Sequence, residues 1–349
     1  MKTYTKKKMI VRSDKMKVFL YTEGEKLFRK SGLGKAIKHQ MTALDRVGVE
    51  YTTNAKDNYD IIHLNWYGLK SYFLAKNEKK KGKKIVYHAH STEEDFRNGF
   101  IFSKQLAPLF RKWITKCYSL GDVIITPTPY SKHLLEGYGI QKDIYAISNG
   151  IDLEKFRRKE HLRKEFRDRY HLKEEDKVVI GVGLYIERKG IVEFVELAKR
   201  MPEYKFIWFG YSPLFFSPSK VKKAVHTQLD NLYFAGYVEQ SLIVEAMNGC
   251  DLYLFPTHEE TEGIPIIEAC ACETPALIRD IPVFDEWLED GKNVYKAKTL
   301  EEFEDKIRKI LENQLPSLTK EALKVAEERD INQVGKQLKE VYEKVMDLP

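Results

Sequence analysis

Glu260 and Glu268 bracket the run Glu-Thr-Glu-Gly-Ile-Pro-Ile-Ile-Glu, with seven residues between them. Two carboxylates at that spacing mean little alone in a chain that is 32% charged. The residues between them supply the chemistry. Gly263 lets a backbone come close to a ligand. Pro265 suits the first position of a helix, where a missing N–H costs nothing. Glu260 is therefore expected on the loop before a helix and Glu268 in its first turns. Gly263, Ile264 and Pro265 then mark a helix start whose unpaired N–H groups attract anions. Two carboxylates able to accept hydroxyls from a sugar and a ribose, on either side of an anion cradle, match the chemistry of a nucleotide sugar.

Four other places carry residues of the right type. In Val86-Tyr-His-Ala-His-Ser-Thr-Glu-Glu-Asp-Phe96, a histidine just past a buried parallel strand lies where α/β proteins bind ligands. His88 and His90 are two apart and share a strand face, so either can meet the ligand. Gly181-Val-Gly-Leu-Tyr-Ile-Glu-Arg-Lys-Gly190 places Arg188 and Lys189 to neutralise a diphosphate leaving group. Ser31-Gly-Leu-Gly34 precedes a helix; Gly32 and Gly34 either expose backbone N–H groups to a ligand or form a plain turn. Phe209-Gly-Tyr211 and Ala235-Gly-Tyr-Val238 end two strands, so Gly210, Tyr237 and Val238 either line a ligand or pack at a core edge. No Asp-x-Asp pair and no His/Cys/Asp/Glu set with metal spacing occurs, so no metal or other cofactor is expected.

The elements that position these residues alternate. Strands are expected at 17–21, 59–64, 84–88, 123–126 and 144–147, with helices such as 34–47 and 105–119 between them. A charged stretch follows the turn Ser148-Asn-Gly-Ile-Asp152. A second block then has strands at 178–182, 205–209, 232–234, 252–255 and 276–278, and helices at 191–200, 240–248, 265–272 and 300–312. Such alternation indicates α/β architecture with parallel sheets. Residues 319–346 keep helical apolar spacing through Leu323, Ala326, Val334, Leu338, Val341 and Val345.

A chain of 349 residues is long for one core and suits two. Cys117, Cys250, Cys270 and Cys272 form no CxxC pair and read as reduced core residues. No apolar run reaches the roughly 18 residues that span a bilayer, and no signal peptide is evident. The net charge of +7 is unevenly spread: residues 1–15 carry a net +5, 16–150 a net +9, and 151–349 a net −7. A basic first half joined to an acidic second half suggests an anionic surface met by the first half only.

The run from Glu260 to Glu268, continued by Ala269-Cys-Ala-Cys-Glu-Thr-Pro-Ala276, resembles the signature of the family-4 retaining glycosyltransferases. That resemblance implies a GT-B fold, two Rossmann-like domains facing across a cleft. The basic run at residues 1–15 reads as a disordered extension, with the fold starting at Met16. On the resemblance, residues 16–150 are an acceptor- and membrane-facing domain, and 151–318 a nucleotide-sugar domain. Residues 319–349 are a helix crossing back to the first domain. The resemblance assigns Glu260 to the donor sugar and Glu268 to the ribose. His90-Ser-Thr-Glu-Glu-Asp-Phe is similar to a segment of bacterial diacylglycerol glucosyltransferases, which implies that His90 lies near the sugar 6-hydroxyl. The chain departs from the family where an Arg is usual: Leu184 stands there. Arg188 is expected to substitute for it, with Lys189 in the Lys role. Metal-independent transfer from a UDP-hexose is implied.

The segment from Lys17 to Met41, and most of the chain after it, resembles the second glycolipid synthases of Gram-positive bacteria. They extend monoglucosyldiacylglycerol to the diglycosyl lipid that anchors lipoteichoic acid. The implied partners are a UDP-sugar, a glycolipid acceptor and an anionic membrane surface, with no nucleic acid. The implied location is cytoplasmic, peripheral on the inner face of the cell membrane. Arg111, Lys112, Trp113 and Lys116, on an aromatic and basic helix, are the expected lipid contacts; the same pattern also fits an amphipathic helix facing the sheet. A soluble transferase acting on a polysaccharide or protein glycan, a UDP-sugar epimerase and an inactive sugar-nucleotide-binding subunit remain alternatives.

Overall fold

The computed structural model describes residues 16–24, 31–97 and 99–348. The basic stretch 1–15 lies outside the described residues. The first block runs β1 (Lys17–Tyr21), α1 (Gly32–Arg46), β2 (Glu50–Thr52), β3 (Ile61–Leu64), α2 (Leu69–Lys80), β4 (Lys84–His88), α3 (Glu93–Phe96), α4 (Ser103–Tyr118), β5 (Val123–Thr126), α5 (Pro129–Gly137) and β6 (Asp143–Ala146). The second runs α6 (His161–Arg169), β7 (Val178–Val182), α7 (Ile191–Arg200), β8 (Lys205–Phe209), α8 (Ser219–Val225), β9 (Leu232–Gly236), α9 (Gln240–Gly249), β10 (Leu252–Phe255), α10 (Ile264–Ala271), β11 (Ala276–Arg279), β12 (Tyr295–Ala297) and α11 (Leu300–Leu311). Two helices follow, α12 (Thr319–Glu327) and α13 (Ile331–Asp347).

Each block makes one six-stranded sheet, ordered β2-β1-β3-β4-β5-β6 and β12-β11-β10-β7-β8-β9. Every strand pair is parallel. Continuous apolar strands such as Val-Ile-Ile-Thr (β5) and Leu-Tyr-Leu-Phe (β10) are buried throughout, as strands covered on both faces must be. Strand order reverses beside β1 in one sheet and beside β7 in the other. Crevices at the carboxyl ends of the strands open at such switch points. They fall after β1 and β3, and after β7 and β10, where the candidate residues lie.

The edge strands β2 and β12 were not among the expected ones. Both are three residues long, too short to show a period. The single helix expected over 319–346 is two. Ile151 N–H donates to the Arg329 carbonyl at 3.0 Å, and Ile331 N–H donates to the Ile151 carbonyl at 3.0 Å. The two chain crossings between the sheets therefore run side by side, and the backbone leaves the helix there. Asp330 restarts it by accepting from Asn332 N–H at 2.7 Å.

After the crossing, α13 lies against the first sheet. Val334, Leu338, Val341, Tyr342 and Val345 share a core with Val18, Leu20, Leu44, Ile61 and Val86. Gly335 permits the close approach to α1, since a Cβ there would stand 2.4 Å from the Ala43 carbonyl oxygen. α12 instead packs Ala322, Val325 and Ala326 into the second block's core.

Candidate active site

Glycines bring the working groups of the second domain together. Gly183 and Gly210 end adjacent strands, and a Cβ on Gly210 would lie 2.2 Å from the Gly183 carbonyl oxygen. Backbone rather than side chains therefore forms that wall. Gly190, at φ 74°, presses against the Pro256 carbonyl, where a Cβ would stand 2.2 Å away. This contact sets the turn Glu187–Lys189 beside the loop that follows β10. Gly263, at φ 91°, turns that loop into α10.

Arg188 and Lys189 consequently meet Glu260. Lys189 Nζ pairs with Glu260 Oε1, and Thr257 Oγ1 donates to the same oxygen at 3.3 Å. Arg188 Nη1 stands 3.8 Å from Glu260 Oε2 and 2.6 Å from the Glu259 carbonyl. It also reaches across to the first domain, 2.8 Å from Asp95 Oδ1. Burial pulls the Lys189 ammonium below its ordinary value, with Glu260 opposing.

Glu268 is fully buried. Lys35 Nζ of α1, from the other domain, lies 2.7 Å from its Oε1, while Oε2 has no hydrogen-bond partner among the described residues. Burial raises the Glu268 carboxyl and Lys35 opposes that rise. Glu262 is buried too and accepts from Asn149 N–H at 3.0 Å and from its side-chain amide at 2.7 Å. Tyr130 hydroxyl donates to Glu259 at 3.1 Å and Thr128 hydroxyl to the Thr261 carbonyl at 2.8 Å. The Glu-rich loop thus belongs to one domain and is buttressed by the other.

The histidines form a stack. His88 and His90 rings are 3.9 Å apart at 12°, with His88 buried at the strand end and His90 lining the cleft. His90 Nε2 is 2.9 Å from Asn65 Oδ1, and Asn65 Nδ2 donates to Gln40 Oε1 at 3.0 Å. In that arrangement His90 carries its proton on Nε2. Burial pulls its pKa down to about 3, so the ring is neutral and Nδ1 is an acceptor. His63 continues the network to His88 at 3.1 Å and to the Tyr342 hydroxyl of α13 at 2.7 Å.

These groups converge on one interdomain cavity of about 720 Å³. Gly32, His90, Arg188, Lys189, Gly210, Tyr237, Val238, Glu260, Gly263, Ile264 and Pro265 line it. Gly34 and Glu268 do not; the contact of Glu268 with the cavity runs through Lys35, which does line it. Tyr211, at the end of the quoted Phe209-Gly-Tyr211 run, lines it too; Asp95 and Lys35 also line it and were not singled out in the sequence. Asp95 stood in the quoted His90 run, and Lys35 directly after Gly34, so proximity to those motifs was their only signal. On α4, the Trp113 indole N–H donates to the Tyr67 carbonyl at 2.8 Å. Arg111 Nε stands 3.4 Å from Glu93, Lys116 lies 5.3 Å above the Tyr72 ring, and Lys112 is exposed.

Residues 41–155 match the Glycosyltransferase Family 4 domain and residues 163–329 match Glycosyl transferases group 1. A processive diacylglycerol alpha-glucosyltransferase of Acholeplasma laidlawii is 40% identical over 95% of this chain and 99% of its own length. The chain belongs to the GT-B glycosyltransferases. An alpha-galactosylglucosyldiacylglycerol synthase of Streptococcus pneumoniae is 24% identical, over 80% of this chain and 77% of its own. Among solved structures, Anabaena HepE in complex with UDP and glucose has a TM-score of 0.78 at 17% identity. It covers 94% of this chain and 100% of its own, a likeness of fold.

The two domains of this glycosyltransferase share one cleft. Among the described residues no group of three His, Cys, Asp or Glu side chains is arranged to hold a metal ion. No described helix is long and apolar enough to cross a membrane.

Proposed function

We propose that this glycosyltransferase is a retaining, metal-independent hexosyltransferase. In this reading it moves glucose from UDP-glucose to a diacylglycerol-based acceptor, monoglucosyldiacylglycerol among them, at the inner face of the cell membrane. The observation that carries the chemistry is the meeting of Arg188 and Lys189 with Glu260, just before α10, in the cavity that His90 also lines. The choice of glucose and of a diacylglycerol lipid rests on the name of the 40%-identical relative. The pneumococcal relative's name makes galactose the competing donor.

The donor diphosphate takes Arg188 and Lys189 from the carboxylates that now hold them. Glu260, released, accepts hydroxyls of the hexose, and neutral His90 offers Nδ1 to another. Glu268 accepts from the ribose once Lys35 moves aside. The acceptor hydroxyl attacks the anomeric carbon on the face that UDP leaves. The bond to the β-phosphate oxygen breaks with its electron pair, and the hydroxyl proton passes to that departing oxygen. Retention then needs no enzyme nucleophile. The two cations stabilise charge that grows on the diphosphate, an effect worth about 10²–10³ in rate per group in comparable sites.

The test is incubation with UDP-glucose or UDP-galactose and vesicles bearing diacylglycerol or monoglucosyldiacylglycerol, with mass and linkage analysis. An α-linked glucolipid supports the reading. Galactolipid alone overturns the donor, and transfer only to soluble glycans overturns the acceptor.

A further inference from the structure

Large apolar side chains gather at one end of the cleft. Phe100, Ile101 and Phe102 precede α4, and Leu106 and Leu109 follow on it; all five are exposed. Phe215 and Phe216 sit between β8 and α8, in the other domain, at 78% and 68% exposure. The loops carrying them touch: Ile101 N–H donates to the Phe216 carbonyl at 3.2 Å. The Phe215 and Phe216 rings lie edge to face, 4.8 Å apart. Neighbours hold the second loop in place, because Ser217 is buried against the Tyr185 carbonyl and Lys222 reaches the Phe215 carbonyl at 3.4 Å. Phe102 has φ 70°, a conformation costly for a bulky residue, and yet stays 69% exposed.

The position and charge of this patch say what it meets. The first loop follows Asp95 and the second follows Tyr211, both of which line the cavity. The apolar rim therefore borders the cleft mouth. Residues 99–118 contain four Lys or Arg and no Asp or Glu. Residues 211–227 contain three Lys and no acid, within a half whose net charge is −7. Lys220 pairs with Glu187 and Arg111 with Glu93, yet both segments are locally basic, and exposed rings beside such cations suit an anionic bilayer.

We propose that loops 99–102 and 211–217 form one lipid-seating rim, so that an anionic bilayer grips both domains at once and holds the cleft closed over a membrane-borne acceptor. The inference rests on the lipid-acceptor reading, and it makes the acidic second domain a membrane contact as well as the basic first one.

Wild type and Phe215→Ser/Phe216→Ser are compared by co-sedimentation with phosphatidylcholine vesicles containing phosphatidylglycerol. The double variant is expected to bind at least about tenfold more weakly, with UDP affinity by calorimetry within about twofold of wild type. A polarity-sensitive dye on Phe215→Cys is expected to shift to the blue with vesicles. The four native cysteines are buried, so labelling is selective. Unchanged sedimentation of the double variant beside a binding wild type overturns the two-domain rim and leaves the lipid acceptor standing. A wild type that ignores vesicles at every salt concentration overturns both. A lipid-independent dimer that the double variant abolishes replaces the bilayer with a second copy of the chain.

Discussion

Lys35 and Glu268 meet across the cleft, Nζ to Oε1 at 2.7 Å, one from each domain. Arg188 and Asp95 do the same in the opposite sense at 2.8 Å. Two ion pairs thus span the cleft, and each engages a group that the proposed donor needs. In the proposed donor placement, domain closure and donor binding compete for the same charges.

Glu268→Ala is expected to weaken UDP binding by about tenfold or more, since a hydrogen bond to a charged partner contributes about 1.5–3 kcal/mol. Glu260→Ala is expected to lower kcat without weakening UDP binding, since its loss also frees Lys189 for the diphosphate. Calorimetry and steady-state kinetics separate the two. Unchanged UDP affinity in Glu268→Ala confines that residue to its contact with Lys35.

Asp95→Asn keeps the shape of its side chain and removes the charge that engages Arg188. UDP is expected to bind about tenfold tighter, the gain of one charge-assisted contact no longer contested. Weaker binding in calorimetry means that Asp95 orients the guanidinium rather than competing for it.

Activity is expected to persist in excess EDTA, because Arg188 and Lys189 stand where the diphosphate charge is proposed to develop. Loss of turnover on chelation, with recovery on adding magnesium or manganese, sinks that expectation.

The Glu259 carboxyl is pushed up from 4.5 to about 7, chiefly by burial, with the Tyr130 hydroxyl opposing. Between those two values the native state holds a proton that the unfolded chain releases. The group's contribution is therefore greatest below pH 4.5 and is lost as pH rises towards 7. Glu259→Gln is expected to gain on wild type across this window, by on the order of 3 kcal/mol. Urea unfolding at both ends of the window checks the sign; a constant difference between the two proteins refutes it.

Gly335→Ala is expected to destabilise the protein by about 1–3 kcal/mol, although Ala favours an ordinary helix interior over Gly by about 0.5–1 kcal/mol. The added methyl would push α13 off the Ala43 carbonyl. A urea midpoint equal to or above wild type shows that the helices can give way.

The alternation of apolar strands and helices was legible because parallel strands buried on both faces keep an unbroken apolar run, as β5 and β10 do. Glu50-Tyr-Thr52 carries no such run, since an edge strand need not, and it stayed invisible. The break near Asp330 answers to Ile151, far off in sequence, so the 319–346 periodicity gave no sign of it. At the cleft, the types and order of Arg188, Lys189 and Glu260 were enough to bring them together. What holds them was not: Glu268 is engaged by a lysine 233 positions away. His88 and His90 share a strand face on paper. They differ because β4 ends at His88, leaving His90 beyond the sheet.

The helix α13 also sets an order of assembly. It covers one apolar face of the first sheet, with Val334, Leu338 and Tyr342 against Val18, Leu20 and Val86. During synthesis that face waits until the whole second domain has emerged from the ribosome. The domain made first is thus finished last, and the one made second can close before it. A chain stalled before Ile331 presents to chaperones and proteases the part of this face that α1 leaves open, whatever the state of its cleft.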